Sequence, residues 1–182
     1  EAAKERGIHV TFTPGASTDD VAEFTVTLML ALAHRLFEGD AYMRAGKYTA
    51  WDPSLLLGFQ VKGKTIGIIG LGRIGFGVAE RCVKGLGMRV LYNDVKRNPE
   101  FEAQYGDGFR SLEDLLKESD IVSLNVPLLP STHHLMNAER FRLMKPTAYL
   151  INTARGPVVD EHALIEAIEE KRIAGAALDV HE

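Results

Sequence analysis

Residues 64–94 read KTIGIIGLGRIGFGVAERCVKGLGMRVLYND. A short apolar run, Thr65 to Ile69, meets Gly70-Leu71-Gly72-Arg73-Ile74-Gly75. A helix-like stretch follows, then a second apolar run that ends at Asp94. The order is strand, glycine turn, helix, strand, acid. Each glycine answers a physical demand. Gly70 permits a tight bend, Gly72 lets a pyrophosphate approach the backbone, and Gly75 lets the helix pack close to the strand. The helix amino terminus offers free N–H groups and a partial positive charge to phosphate. Asp94 lies 19 residues after Gly75, near the spacing of a carboxylate that accepts both ribose hydroxyls of NAD. The alternative is an ordinary glycine turn, but here the whole context of the motif is present.

The rest of the chain alternates in the same way. Apolar runs of strand length occur at 65–69, 89–93, 121–126, 148–152 and 175–178, and helical patterns at 75–86, 111–118, 137–144 and 160–171. The strand runs are apolar on nearly every residue. That is the pattern of parallel strands covered on both faces. The fold class predicted is α/β, a doubly wound parallel sheet of Rossmann type with right-handed crossovers. Upstream, Ile8 to Phe12 reads as a short strand. A long helix is expected from about Asp20 to Met43, with Val21, Phe24, Leu28, Ala31 and Leu32 on its packed side. Its broad apolar surface also predicts a homodimer, against the alternative that it is buried within the domain. One dinucleotide-binding domain is expected over 1–182, with an opening helical segment at 17–46 and the core at 64–182.

Bulk properties exclude several classes. Net charge is −4, so no basic face marks a nucleic-acid binder. No apolar stretch reaches the ~20 residues of a membrane span. The single cysteine, Cys82, cannot form an intrachain disulfide and fits a reducing, cytoplasmic setting. It falls within a predicted helix, so a packing role is expected. No cluster has metal-ligand spacing, so no metal is predicted. The chain starts at Glu1 rather than Met, and its native amino terminus is expected to lie upstream.

Ligands of such sheets bind beyond the carboxyl ends of the strands. After 121–124 comes NVPLLPST, whose two prolines make a rigid wall for a nicotinamide ring or merely a rigid surface turn. After 148–151 comes Asn152-Thr153-Ala154-Arg155-Gly156. Arg155 there presents a planar fork suited to a substrate carboxylate. The alternative is an ion pair with Asp160 or Glu161. After 175–178 comes Asp179-Val180-His181-Glu182. Asp179 is placed to accept from the nicotinamide carboxamide or to position a catalytic group. His181 and Glu182 are adjacent, so they are expected to flank the site rather than form a dyad. His133 or His134 could edge the cofactor site.

The segments GLGRIG, NVPLLPSTHHLMN and LINTARGPVVDEHALIEAIEEKRIAGAALDV resemble, in order and spacing, the D-isomer-specific 2-hydroxyacid dehydrogenases. YTAWDPSLLLGFQVKGKTIGIIG looks most like the glyoxylate/hydroxypyruvate reductase branch. The resemblance implies that Arg73 and Ile74 contact the pyrophosphate and Asp94 the adenosine ribose. It implies that Val126, Pro127 and Thr132 line the cofactor and that Thr153 and Ala154 approach the nicotinamide. Arg155 would hold the substrate carboxylate, and Asp179 matches the family's cofactor-site aspartate. NAD is the implied cofactor, a small 2-oxo acid the substrate, and a dimer through the cofactor domain the assembly.

There are departures. The family's catalytic glutamate would fall at position 184 and its catalytic histidine further downstream, so the 182 residues are expected to bind NAD(H) with little turnover. The family's substrate domain, built from segments before and after the cofactor domain, is not recognisable here. His181 stands where an aromatic residue is usual. The same fold also serves NAD-sensing corepressors, the alternative function. Asp94 should repel a 2′-phosphate and disfavour NADP, and Lys96 and Arg97 should soften that preference.

Overall fold

The computed structural model describes residues 1–11 and 13–182. Five parallel strands form one sheet: β1 (Thr65–Ile69), β2 (Arg89–Asn93), β3 (Ile121–Leu124), β4 (Tyr149–Asn152) and β5 (Gly175–Leu178), in the order β2-β1-β3-β4-β5. A sixth parallel piece lies on the outer edge of β2. Tyr92 bridges Phe109, with Tyr92 N–H donating to Gly108 O at 2.8 Å and Arg110 N–H donating to Tyr92 O at 2.9 Å. Counting 108–110 as a strand gives the 3-2-1-4-5-6 order of a Rossmann-type sheet.

The strands bury both faces because each alternates between two cores. Ile66, Ile68, Ile121 and Ile151 point into one, with α2 (Thr18–Ala33) and α4 (Arg73–Leu86) above them. Val122, Leu124 and Leu150 point into the other, beneath α6 (Leu112–Glu118), α7 (Ala138–Phe141) and α8 (Glu161–Glu169). Gly67 in β1 lets α6 approach closely, since a Cβ there would overlap Ser119 Oγ and Leu115.

The core elements form where the pattern places them, with shorter ends. β3 stops at Leu124, β4 starts at Tyr149, α7 ends at Phe141 and α8 spans Glu161–Glu169. The upstream expectations need correction. Residues 8–11 take no strand and Ile8 and Val10 are exposed, while Phe12 lies outside the described residues. The 20–43 helix is two helices, α2 and α3 (Leu36–Arg44), broken at Arg35 with φ 52°. The break has a tertiary cause. Phe59 N–H donates to Ala33 O at 2.9 Å, capturing a helical acceptor, and Gly58 is pressed against the same carbonyl. The packed face also differs: Ala22, Thr25, Met29, Ala31 and Ala33 are buried, whereas Phe24 is 43% exposed. Small residues take that face because α2 lies close on α4, with Ala22 against Gly77. Two short helices stand outside the sequence pattern, α1 (Ala2–Glu5) and α5 (Pro99–Tyr105). The signals for α5 are nonetheless present: an Asn98 cap, Pro99 in the first turn and Gly106 after the end.

Cys82 is fully buried, and that burial pushes its thiol up to about 12. A thiol reagent at pH 8 is expected to leave the native protein unmodified and to label it stoichiometrically once unfolded.

Asp120, at the amino edge of the sheet, accepts from Thr65 N–H and from Lys145 Nζ, each at 2.9 Å. Burial alone would raise its pKa, but these donors outweigh burial and hold it below the ordinary value. A depressed carboxylate stabilises the fold above its unfolded pKa near 3.9, and that stabilisation is lost as pH falls through the folded value. Asp120→Asn should therefore cost about 1–3 kcal/mol at pH 7. Urea melts at stepped pH should show the gap to wild type closing only below roughly pH 4.

Candidate functional site

The strand order reverses direction at β1: β2 lies on one side and β3 on the other. A crevice opens at their carboxyl ends, where such sheets take ligands. Gly70 starts the turn out of β1 with φ 89°, and a Cβ there would meet Asn125 O at 2.8 Å and Val126 Cγ1 at 2.9 Å. Gly75 sits against Gly70 O, so a side chain at Gly75 would pry α4 from the turn. Gly72 is different: nothing lies within 4 Å of a Cβ built on it, and the residue is exposed. Its backbone is open to an approaching group.

The amino end of α4 is aimed at this opening. Gly72 supplies no side-chain cap, whereas Asn98, Ser111, Asn137 and Asp160 cap the four later α-helices. The first-turn N–H groups, those of Arg73 and Ile74 among them, are left for an anion. Arg73 is exposed and Ile74 half-buried.

Asp94 closes the far side. Its Oδ2 accepts from Leu71 N–H at 2.8 Å and its Oδ1 from Val95 N–H at 2.7 Å. The carboxylate thus ties the glycine turn to the end of β2 and still has a free lone pair on each oxygen. A cleft of about 480 Å³ lies beside it, lined by Leu71, Asp94, Lys96, Arg97, Asn98, Pro99 and Glu100. A second hollow of about 430 Å³, over Gly72, Arg73 and Phe76, shares Leu71, Asn98 and Glu100 with it. Together they run from the acid to the helix terminus, as an adenosine with its phosphates requires.

Two other sheet ends face the same edge. Thr132 staples the proline loop: its hydroxyl donates to Pro127 O at 2.6 Å and accepts from Leu129 N–H at 2.8 Å. Val126 packs on the core and Pro127 is exposed. Asn125 Oδ1 is the one buried side-chain acceptor without a partner among the described residues. It stands at the switch point beside Gly70, and an orphaned acceptor there is costly unless a donor arrives. Sequence pattern marks Asn125 only as the start of a loop. The open backbone at Gly72, the uncapped α4 and the divalent acceptor at Asp94 fit a dinucleotide.

After β4, Asn152 organises the turn. Its Oδ1 accepts from Ala154 N–H and its Nδ2 donates to Arg155 O, each at 3.0 Å. Thr153 and Ala154 are nearly buried. The Thr153 hydroxyl bonds Thr25 at 2.8 Å, tying β4 to α2. Arg155 is exposed and donates to Ala154 O at 2.6 Å. It makes no ion pair among the described residues. Asp160 instead caps α8, and Glu161 accepts from Glu182 N–H, so the competing ion-pair reading fails. Asp179 is exposed just past β5, its N–H donating to Asn152 O at 2.9 Å.

His181 and Glu182 do not form a dyad. His181 Nδ1 lies 3.5 Å from Glu161, while Glu182 bonds His134 Nε2 at 2.9 Å. The fold does gather His133, His134 and Glu182 so that one ligand atom of each lies within 4.8 Å of the others. Spacing along the chain does not reveal that group. Its two rings stack with centroids 4.1 Å apart. No helix is long and apolar enough to cross a membrane among the described residues.

The comparisons agree with this geometry. Residues 26–182 match the family model described as D-isomer specific 2-hydroxyacid dehydrogenase, NAD binding domain. The chain is 54% identical to a glyoxylate reductase of Thermococcus kodakarensis, covering 100% of this chain and 56% of that one. It is 51% identical to a glyoxylate reductase of Korarchaeum cryptofilum, covering 99% and 54%. Among solved structures, a D-lactate dehydrogenase of Aquifex aeolicus, complexed with NAD and lactic acid, superposes with a TM-score of 0.88 at 40% identity, covering 100% and 53%. A protein of Thermus thermophilus gives 0.92 at 50% identity, covering 99% and 56%. The chain therefore spans about half the length of the curated relatives it matches. The match over residues 26–182 and the identity of about half to curated relatives across the whole chain place it in the D-isomer-specific 2-hydroxyacid dehydrogenase family as an NAD-binding domain.

Proposed function

We propose that this chain holds NAD(H) for a dehydrogenase that reduces a small 2-oxo acid, glyoxylate or hydroxypyruvate in the first instance. The observation that carries this is the placement of an exposed, unpaired Arg155 on the same sheet edge as the Gly72 opening and Asp94. A bound nicotinamide would supply the hydride, and the family's catalytic histidine, which the resemblance places downstream of residue 182, would supply the proton to the carbonyl oxygen. Gly72 and the α4 terminus hold the pyrophosphate, Asp94 accepts from the ribose, and the 125–132 loop walls off water. Arg155 fixes the substrate carboxylate and, being cationic, draws electron density from the neighbouring carbonyl. Asp179 orients the carboxamide. The glyoxylate reductases named above support the choice of acid.

Calorimetric titration of NADH into the 182-residue chain tests the cofactor reading, and a silent titration would overturn it. An NADH-oxidation assay on the parent enzyme with glyoxylate and hydroxypyruvate tests the substrate. Equal indifference to both acids would overturn that part.

The reading includes a homodimer through α2, α3 and the segment after them. Phe24, Leu36, Phe37, Met43, Trp51 and Leu57 are 43% to 78% exposed there. Light scattering should give twice the monomer mass, with Phe37→Glu restoring the single mass. The cytoplasm is the location proposed, on the strength of one reduced, buried thiol, and cell fractionation would test it.

A further inference from the structure

We propose that Glu102 and Asp107 set the preference for NADH over NADPH by holding Arg97, the guanidinium nearest in sequence to the ribose acid. The inference rests on the cofactor reading above. Lys96 and Arg97 follow Asp94 and line the same cleft, so the sequence alone leaves two cations ready for a 2′-phosphate. The structure removes one of them. Arg97 Nε donates to Glu102 at 3.0 Å and Nη2 donates to Asp107 at 2.6 Å. Its guanidinium lies over Phe109, 5.2 Å from the ring centroid.

The clamp is itself anchored. The Tyr92 hydroxyl donates to Glu102 Oε1 at 2.5 Å and itself accepts from Asn98 N–H at 2.8 Å. Tyr92 is fully buried, so Glu102 is fixed from beneath. Phe109 belongs to the segment bound on the outer edge of β2, and Asp107 directly precedes it. One guanidinium held between two carboxylates belongs to a cluster of net negative charge, which disfavours a third anion. Lys96 remains, but a hydrated point charge on a flexible stem competes weakly with Asp94 beside it.

The same geometry makes the clamp removable. Neutral isosteres keep the hydrogen bonds to Tyr92 and to the backbone, and Phe109 still holds the guanidinium plane in place. Glu102→Gln with Asp107→Asn would leave Arg97 ordered and uncompensated at the mouth of the cleft.

The test is calorimetric titration of NADH and NADPH into the chain and its variants, with thermal melts to verify folding. The double variant should bind NADPH roughly tenfold more tightly than wild type, the worth of one charge-assisted hydrogen bond, with NADH affinity unchanged. Adding Arg97→Ala should erase the gain, and adding Lys96→Ala should not. If the double variant melts early, each single substitution should show part of the gain. Unchanged NADPH affinity alongside normal NADH binding would overturn the proposal and spare the cofactor reading, as would a gain that survives Arg97→Ala. Failure of the wild-type chain to bind NADH would overturn both.

Discussion

Arg155→Gln in the parent enzyme is expected to lower kcat/KM for the 2-oxo acid by roughly 10²- to 10³-fold, the usual loss when one member of a close charge pair is truncated. NADH affinity should stay as it was. The expectation follows from what surrounds the residue. Arg155 makes no ion pair among the described residues, and one of its N–H groups turns back to Ala154 O. The remaining donors are available. Asn152, itself buried, sets the path of the turn from within, so the substitution should not disturb the fold. Lysine should rescue little, because a single ammonium cannot reproduce a bidentate fork. A kcat/KM within a few-fold of wild type would mean that another group holds the carboxylate.

The second large effect separates two glycines of the same turn. Gly75→Ala should lower the melting temperature and weaken NADH binding together. In an exposed helix the change from glycine to alanine gains about 1 kcal/mol. Here the added Cβ would overlap Gly70 O and meet Ile68 Cγ2 at 3.0 Å. The carbonyl is backbone and cannot rotate away, so overpacking of about 1–3 kcal/mol or more decides the sign. For a chain of this size each kcal/mol of net loss lowers the melting temperature by roughly 2–4 °C.

Gly72→Ala should weaken binding alone. Its φ of −73° and ψ of −166° suit alanine, and the methyl would meet nothing within 4 Å. Stability should hold within about 0.5 kcal/mol, while NADH affinity drops because the methyl stands where the pyrophosphate must come. Paired melts and titrations on the two variants check this. A stable Gly75→Ala or a tight-binding Gly72→Ala would refute the corresponding assignment.

The central βαβ unit was legible because its signals are local. Runs of four or five apolar residues, a glycine turn and an acid at the end of β2 need no knowledge of distant segments. The positions of Arg155 and Asp179 just past a strand were legible by the same logic. The break at Arg35 was not, because its cause is Phe59 reaching Ala33 from 26 residues away. The buried face of α2 was misjudged because periodicity favours the bulky stripe, whereas close packing on α4 demanded the small one. The Arg97 clamp was equally hidden. Its carboxylates sit five and ten residues further on, at no regular spacing, and only the folding of 98–109 around Tyr92 brings them to one guanidinium. The free reading of Arg97 came from adjacency to Asp94 alone.

The 108–110 segment has a role in keeping molecules apart. A bare outer edge on β2 would be a row of unmet backbone donors and acceptors, ready to add a strand from another chain. Three residues are enough to close it at Tyr92. They lie close because Gly108 carries no side chain: a Cβ would meet Val90 O at 2.7 Å. A larger residue at 108 is expected to loosen the segment and lengthen the open edge along β2, which light scattering during mild heating would register as earlier association.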